Sequence, residues 1–151
     1  MNWIQIQGES MRPLLHSGDW IEVDWFSDQG RLAAPSLTPG ELIVGRFSEG
    51  EWVVHRYIGR HKSGEHRLLI KGDASFCWDE LHENQIWGRV KTLKSETRKR
   101  QIFHKPGLLA GWIARLSLGT VPPDTIKARI LRRLIFLLSW IEIKTTSSIL
   151  S

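Results

Sequence analysis

Short apolar runs alternate with polar turn signals through the first two thirds of the chain. The runs Trp3–Gln7, Trp20–Trp25, Glu41–Phe47, Glu51–Gly59, Arg67–Lys71 and Gln85–Leu93 are rich in Ile, Val and Trp. Between them lie Ser17-Gly18-Asp19, Pro39-Gly40, Glu49-Gly50, Ser63-Gly64 and Gly72-Asp73, clusters of the residues that punctuate strands. Strands this short and this regularly interrupted predict a mainly β protein, built as a compact twisted β-barrel or folded sheet. Ser27–Pro39 reads as a surface loop.

The pattern changes near Lys94. The stretch "KSETRKRQIFHKPG" is polar and basic and reads as a linker. Beyond it, Leu108–Leu116 and Thr125–Glu142 carry the longer period of helices and predict a C-terminal α-helical hairpin. Gly119 ends the first helix, Pro122-Pro123 break the chain, and Asp124 is a good N-cap for the second. The expected organisation is a β domain over 1–93, a basic linker over 94–106 and a helical appendage over 107–151.

Composition bounds this picture without redirecting it. A chain of 151 residues with 41% apolar residues suffices for one domain with a modest core. The eight tryptophans are expected mostly in core or edge packing, where a large ring supplies much burial to a small domain. A net charge of +5 permits an acidic partner. The cluster Arg98-Lys99-Arg100 has no reading helix beside it, so it is expected to be a solvated basic hinge and no specific nucleic-acid partner is implied. A single cysteine, Cys77, excludes an internal disulfide and a cysteine metal cluster, and no paired zinc-ligand spacing stands out among the histidines, so no cofactor is expected. The N-terminus lacks the basic-then-apolar layout of a signal peptide. The longest apolar run, Leu134–Leu138, is five residues, far short of the ~20 a membrane span needs. These features fit a cytoplasmic protein, with peripheral contact at a membrane surface as the alternative.

Chemistry enters with "GESMRPLLHSGDWIEV", at the end of the first predicted strand. Ser10 sits between Gly8, which lets the backbone turn closely, and Pro13, which stiffens the exit. That arrangement can hold a serine on a rigid rim, although a serine at such a place is ordinarily a turn residue. A serine hydroxyl attacks only when a base stands within hydrogen-bond reach and donors meet the developing oxyanion. "EWVVHRYIG" offers the base: His55 lies in an apolar strand, on the face of Val53 and Tyr57, while Val54, Arg56 and Ile58 point the other way. The bland reading of His55 is a hydrogen-bonded sheet histidine. "LLIKGDASFCWDE" offers two carboxylates, Asp73 and Asp79, either of which can fix an imidazole tautomer. Asp73 follows Gly72 directly, where an aspartate ordinarily caps its own turn, whereas Asp79 stands far enough on to fold back toward His55.

Taken in order, Gly8–Asp19, Val53–Gly59, Ile70–Asp79 and Ile86–Val90 resemble the signal peptidase I-like serine proteases. The resemblance covers residues 3–93. It implies the twisted β-barrel-like fold shared with self-cleaving repressors of the SOS type, Ser10 as nucleophile, and His55 as base. Bacterial members usually carry lysine at that place, whereas members of the endoplasmic reticulum and archaea carry histidine. It implies Asp79 as the carboxylate that supports His55, with Asp73 as the turn-shaping alternative. It also implies a peptide or precursor-protein substrate with small residues just before the cut.

Three departures accompany it. Signal peptidases begin with a membrane anchor, and this chain opens directly at the expected catalytic strand. They often carry a serine hydroxyl two residues before the nucleophile as an oxyanion donor; here that position is Gly8, which leaves the Ser10 backbone N–H as one donor and the second undefined. The C-terminal helices have no counterpart in the resemblance. The expected activity is therefore a serine endopeptidase. The alternatives are a catalytically inactive peptide-binding module of the same fold and a self-cleaving regulator.

The second helix is amphipathic. Ile126, Ile130, Leu134, Leu137, Leu138 and Ile141 fall with Leu131 and Ile135 on one half, and Arg129, Arg132 and Arg133 on the other beside Phe136 and Trp140. Such a helix over 125–142 either packs its apolar half on Leu109, Trp112, Ile113 and Leu116 or on the barrel, or contacts a membrane surface or another copy.

Overall fold

The computed structural model describes residues 2–26, 36–61, 66–95, 98–101, 108–117 and 126–148. Its elements run β1 (Trp3–Gln5), β2 (Trp20–Trp25), β3 (Leu42–Arg46), β4 (Trp52–Arg60), β5 (Arg67–Lys71), β6 (Asp79–His82), a single 3₁₀ turn (Glu83–Gln85), β7 (Ile86–Ser95), β8 (Arg98–Gln101), α1 (Leu108–Ser117) and α2 (Ile126–Ser148).

The fold is mainly β. Antiparallel pairing gives the strand order β1-β2-β7-β3-β4-β5-β6, curled into a half-barrel, with the two helices following. The register slips between Glu22 and Val23, between Val44 and Gly45, and between Tyr57 and Gly59. Such bulges sharpen the local twist and so bend a sheet round on itself.

Two strands differ from the expectation. Arg98–Gln101, placed by composition in the basic linker, forms β8 and pairs with Thr92–Ser95 of β7. Asp79–His82, to which the sequence pattern assigns no element, forms β6 and pairs with β5. Apart from Leu81 both runs are polar, and both are too short to show a period, so they are set by the neighbouring strand and not by their own pattern. Ser27–Pro39 lies partly, and Gly119, Pro122, Pro123 and Asp124 wholly, outside the described residues.

Branched and aliphatic side chains fill the core. Met11, Leu14, Leu15, Ile21, Val44 and Leu93 build one cluster, and Ile43, Tyr57, Leu68, Ile70, Leu81 and Ile86 another on the opposite face. The tryptophans, expected mostly in core or edge packing, are all half-buried or exposed. Trp25, Trp52 and Trp87 meet edge to face on the surface, with the Arg46 guanidinium over Trp52. Their rings offer large area but need wet or bonded edges, and Ile, Val and Leu fill a tight curled sheet better.

The helices pack on the sheet through small residues. Ala110 of α1 presses on Gly40, where an added Cβ would lie 2.8 Å from the Ala110 carbonyl carbon. Ala114 packs with Ile58 and Leu69. Among the described residues no helix is long and apolar enough to cross a membrane.

Candidate active site

Ser10 stands on a tight turn anchored from below. Gly8 takes φ +91°, and Leu14 N–H and Leu15 N–H both donate to Met11 O. Met11, Leu14 and Leu15 are buried in the core and Ser10 remains exposed. The turn is also held from the side: Ala74 N–H donates to Ser10 O at 2.8 Å. Gly72 lies so close that a Cβ there would stand 2.6 Å from Ser10 O and 2.9 Å from Ser10 Cβ. Glycine at position 72 is thus required by close approach, and the Gly-Asp turn after β5 braces the serine directly.

His55 comes from the middle of β4, paired with Ile43 of β3. The alternation read from sequence holds: Val53 and Tyr57 pack in the Ile43 cluster, and Val54 packs in the other. His55 Nε2 lies 3.1 Å from Ser10 Oγ. Burial pushes its pKa below the ordinary imidazole value of 6.5, against the raising influence of Asp79 and then Asp73. A buried imidazole is costly to charge, so the fold favours the neutral form that can accept a proton.

β6 brings Asp79 to the other side of the ring. Asp79 pairs with Ile70, which pairs with Tyr57, so all three residues belong to the His55 face. Asp79 Oδ2 lies 3.4 Å from His55 Nδ1, close enough to bias the charge on the ring, although Nδ1 is buried without an aligned hydrogen bond. Asp79 keeps 44% of its side chain exposed and so has room to rotate onto the ring. Catalytic hydrogen bonds in unliganded sites are commonly long and tighten when substrate binds.

Asp73 is engaged elsewhere. Arg56 Nε donates to its Oδ1 and Arg56 Nη2 to its Oδ2, each at 2.9 Å. Arg56 Nη1 donates to Gly40 O, and Ser139 of α2 donates through Oγ to Asp73 Oδ2 at 3.0 Å. The pair is almost wholly enclosed, with side-chain exposures of 1% and 2%. A bidentate guanidinium–carboxylate fork with a hydroxyl on its free lone pair satisfies two buried charges together.

Sequence reasoning named Ser10, His55, Asp73 and Asp79, and the fold gathers all four around the turn that follows β5. It missed Arg56 and Ser139. A charged residue inside "VVHRYI" is itself a signal, because arginine is rarely buried without a partner. Ser139 carried no such signal, being one serine in a helix.

Lys71, also near, is buried, and burial lowers its pKa. It pairs with Arg56 across the strands and so belongs to the face away from His55. Among the described residues, no group of three or more His, Cys, Asp or Glu side chains could hold a metal ion. Ser10 N–H donates to no other group among the described residues. Compared with known protein families, curated proteins and solved structures, the chain matches none.

Proposed function

We propose that this chain is a serine endopeptidase with Ser10 as nucleophile, His55 as general base and Asp79 as the carboxylate behind it. The observation that carries the reading is the 3.1 Å approach of His55 Nε2 to the exposed Ser10 hydroxyl. With the Nδ1 proton toward Asp79, Nε2 accepts the Ser10 proton as Oγ bonds to the scissile carbonyl carbon. The Ser10 N–H meets the oxyanion. The imidazolium then protonates the leaving amine as the C–N bond breaks, and a water molecule activated by His55 hydrolyses the ester. β6 ends the sheet order and carries Asp79, so its outer edge offers backbone pairing to an extended peptide or precursor protein. Residence in the cytoplasm or at a membrane surface belongs to the same reading.

The test is a fluorophosphonate serine probe together with cleavage of a peptide library. The wild-type chain is expected to be labelled and to cleave, and Ser10→Ala to do neither while melting as the wild type does. Cleavage by Ser10→Ala at the wild-type rate sinks the proposal. One observation favours a second reading, a non-catalytic peptide-binding module: Gly8 leaves no hydroxyl at the usual second oxyanion position. Peptide binding without probe labelling selects that reading.

A further inference from the structure

α2 is docked in an unexpected rotation. Residues on a helix are set ~100° apart, and a helix that packs on the protein ordinarily does so through the middle of its apolar half. The buried positions are Ile135 and Ser139, flanked by half-buried Leu131 and Leu138, so α2 docks through one edge of its apolar half and leaves the rest outward. The Ser139–Asp73 hydrogen bond places a polar residue in the seam. Ile130, Leu134, Phe136, Leu137 and Trp140 face outward, each about half exposed, and Trp112 of α1 is exposed as well.

The same outward face is basic. Lys127, Arg129 and Arg133 are exposed on it. None of the described side chains of α1 and α2 is acidic. The charge of the chain is divided accordingly: residues 1–93 hold ten Lys and Arg against thirteen Asp and Glu, while residues 94–151 hold eleven against three.

We propose that the outward face of α2 docks on an anionic lipid bilayer, with the helix lying in the plane of the interface. A bilayer surface answers both halves of the face. Leu137, Ile130, Phe136 and Trp140 enter the headgroup–acyl boundary, ~5–10 Å deep, while Arg129 and Arg133 reach back to lipid phosphates. Other occupants answer only one half. Nucleic acid neutralises the arginines and leaves the large apolar side chains in water. A second copy related by a two-fold axis sets one row of arginines against the other. The proposal stands whether or not Ser10 is a nucleophile. If Ser10 is one, docking brings its substrates from the membrane surface.

The experiment is co-sedimentation of the full chain with vesicles of phosphatidylcholine alone or mixed with phosphatidylglycerol, beside light scattering of the free protein and binding to duplex DNA. Binding is expected to the phosphatidylglycerol vesicles, not to phosphatidylcholine alone, and to weaken as salt rises from about 0.1 M to about 0.5 M. The double variants Arg129→Glu/Arg133→Glu and Leu137→Ser/Trp140→Ser are each expected to bind about tenfold more weakly or worse, with unchanged melting curves. The comparison of the two vesicle types needs no variant and so stands if either variant fails to fold. Absence of vesicle binding overturns the proposal, as does equal binding to both vesicle types. So does a free dimer that Leu137→Ser/Trp140→Ser dissociates, or DNA binding stronger than vesicle binding.

Discussion

Two neighbouring residues of β4 look into opposite regions of the molecule. On one face, His55 meets an exposed serine at 3.1 Å and a half-exposed aspartate at 3.4 Å. On the other, Arg56 meets a buried aspartate in two 2.9 Å hydrogen bonds, with a carbonyl and a helix hydroxyl completing the set. Both regions join a β4 residue to an aspartate from the same β5–β6 segment. They differ in how completely the polar groups are satisfied. The Arg56 side leaves little unmet and nothing free to move, which suits it to hold the fold. The His55 side leaves Nδ1 without an aligned bond and Asp79 free to turn, which suits it to proton transfer. A saturated network beside an unsaturated one is how a rigid scaffold can present a reactive group.

The sharpest break is on the unsaturated side. His55→Ala is expected to lower the rate of cleavage by ~10²–10⁴-fold, the usual range for a general base, with a small effect on melting. On the proposed mechanism, activity should rise with pH along a limb whose midpoint lies below 6.5, because burial lowers the His55 pKa in the unliganded chain. The sign follows from the neutral ring being the active one. The same depression means that His55's contribution to folding is full above its unfolded value and falls away as pH drops through its lowered folded value. An unchanged pH profile in His55→Ala removes it from the mechanism.

Arg56→Ala tests the saturated side. It strands the Asp73 carboxylate in a buried place, and removing one partner of such a pair costs about 3–5 kcal/mol. Denaturant melts should show the loss, which includes the Gly40 carbonyl's bond to Arg56. Any fall in activity should follow the unfolded fraction. A protein that melts normally yet is inactive would move Arg56 into the chemistry and erase the contrast.

Asp79→Asn lies between. With Asp79 half-exposed and 3.4 Å from the ring, the expected loss is roughly 10–100-fold, below the ~10⁴ that follows when a buried, well-bonded triad aspartate becomes asparagine. The acid limb should also move to lower pH, since Asp79 is the largest influence raising the His55 pKa. Asp73→Asn, by comparison, should weaken the melt more than the rate. Reversal of these two outcomes would exchange the roles of the aspartates.

What was legible in the sequence follows the same division. The strands from Trp20–Trp25 to Arg67–Lys71 were readable because β-branched and aromatic residues lie between Gly-containing turns. Ser10, His55 and Asp79 stood out in the sequence as residue types able to serve as nucleophile, base and supporting carboxylate, and what the structure adds is their approach to 3.1 and 3.4 Å of one another. Strands β6 and β8 were not, since each is four residues long, polar apart from Leu81, and held by pairing with the strand before it. Nor was the docking of α2. Leu131, Ile135 and Leu138 of its apolar half are covered, but the shift that seats Ser139 on the buried Asp73 beside them has no periodic signature. Polar contacts between distant segments leave no pattern along the chain.

Ser139→Ala is the smallest and most selective of these changes. Ser139 is fully buried and spends its hydroxyl on Asp73 Oδ2. Asp73 already has both oxygens on Arg56, so loss of the third bond leaves its charge paired. The expected cost is therefore that of one hydrogen bond to a charged group less what the bidentate fork retains, about 1 kcal/mol, or a fall of about 2–4 °C in melting temperature for a chain of this size. In a double-mutant cycle with Asp73→Asn, the Ser139 effect should shrink, because a neutral amide accepts more weakly than a carboxylate. Asp73 is also the smaller of the two influences raising the His55 pKa, and Ser139→Ala leaves its charge in place, so the acid limb of activity should stay where it is. A limb that shifts with Ser139→Ala would show that the helix reaches through Asp73 to the base, joining the two faces of β4 that the geometry keeps apart.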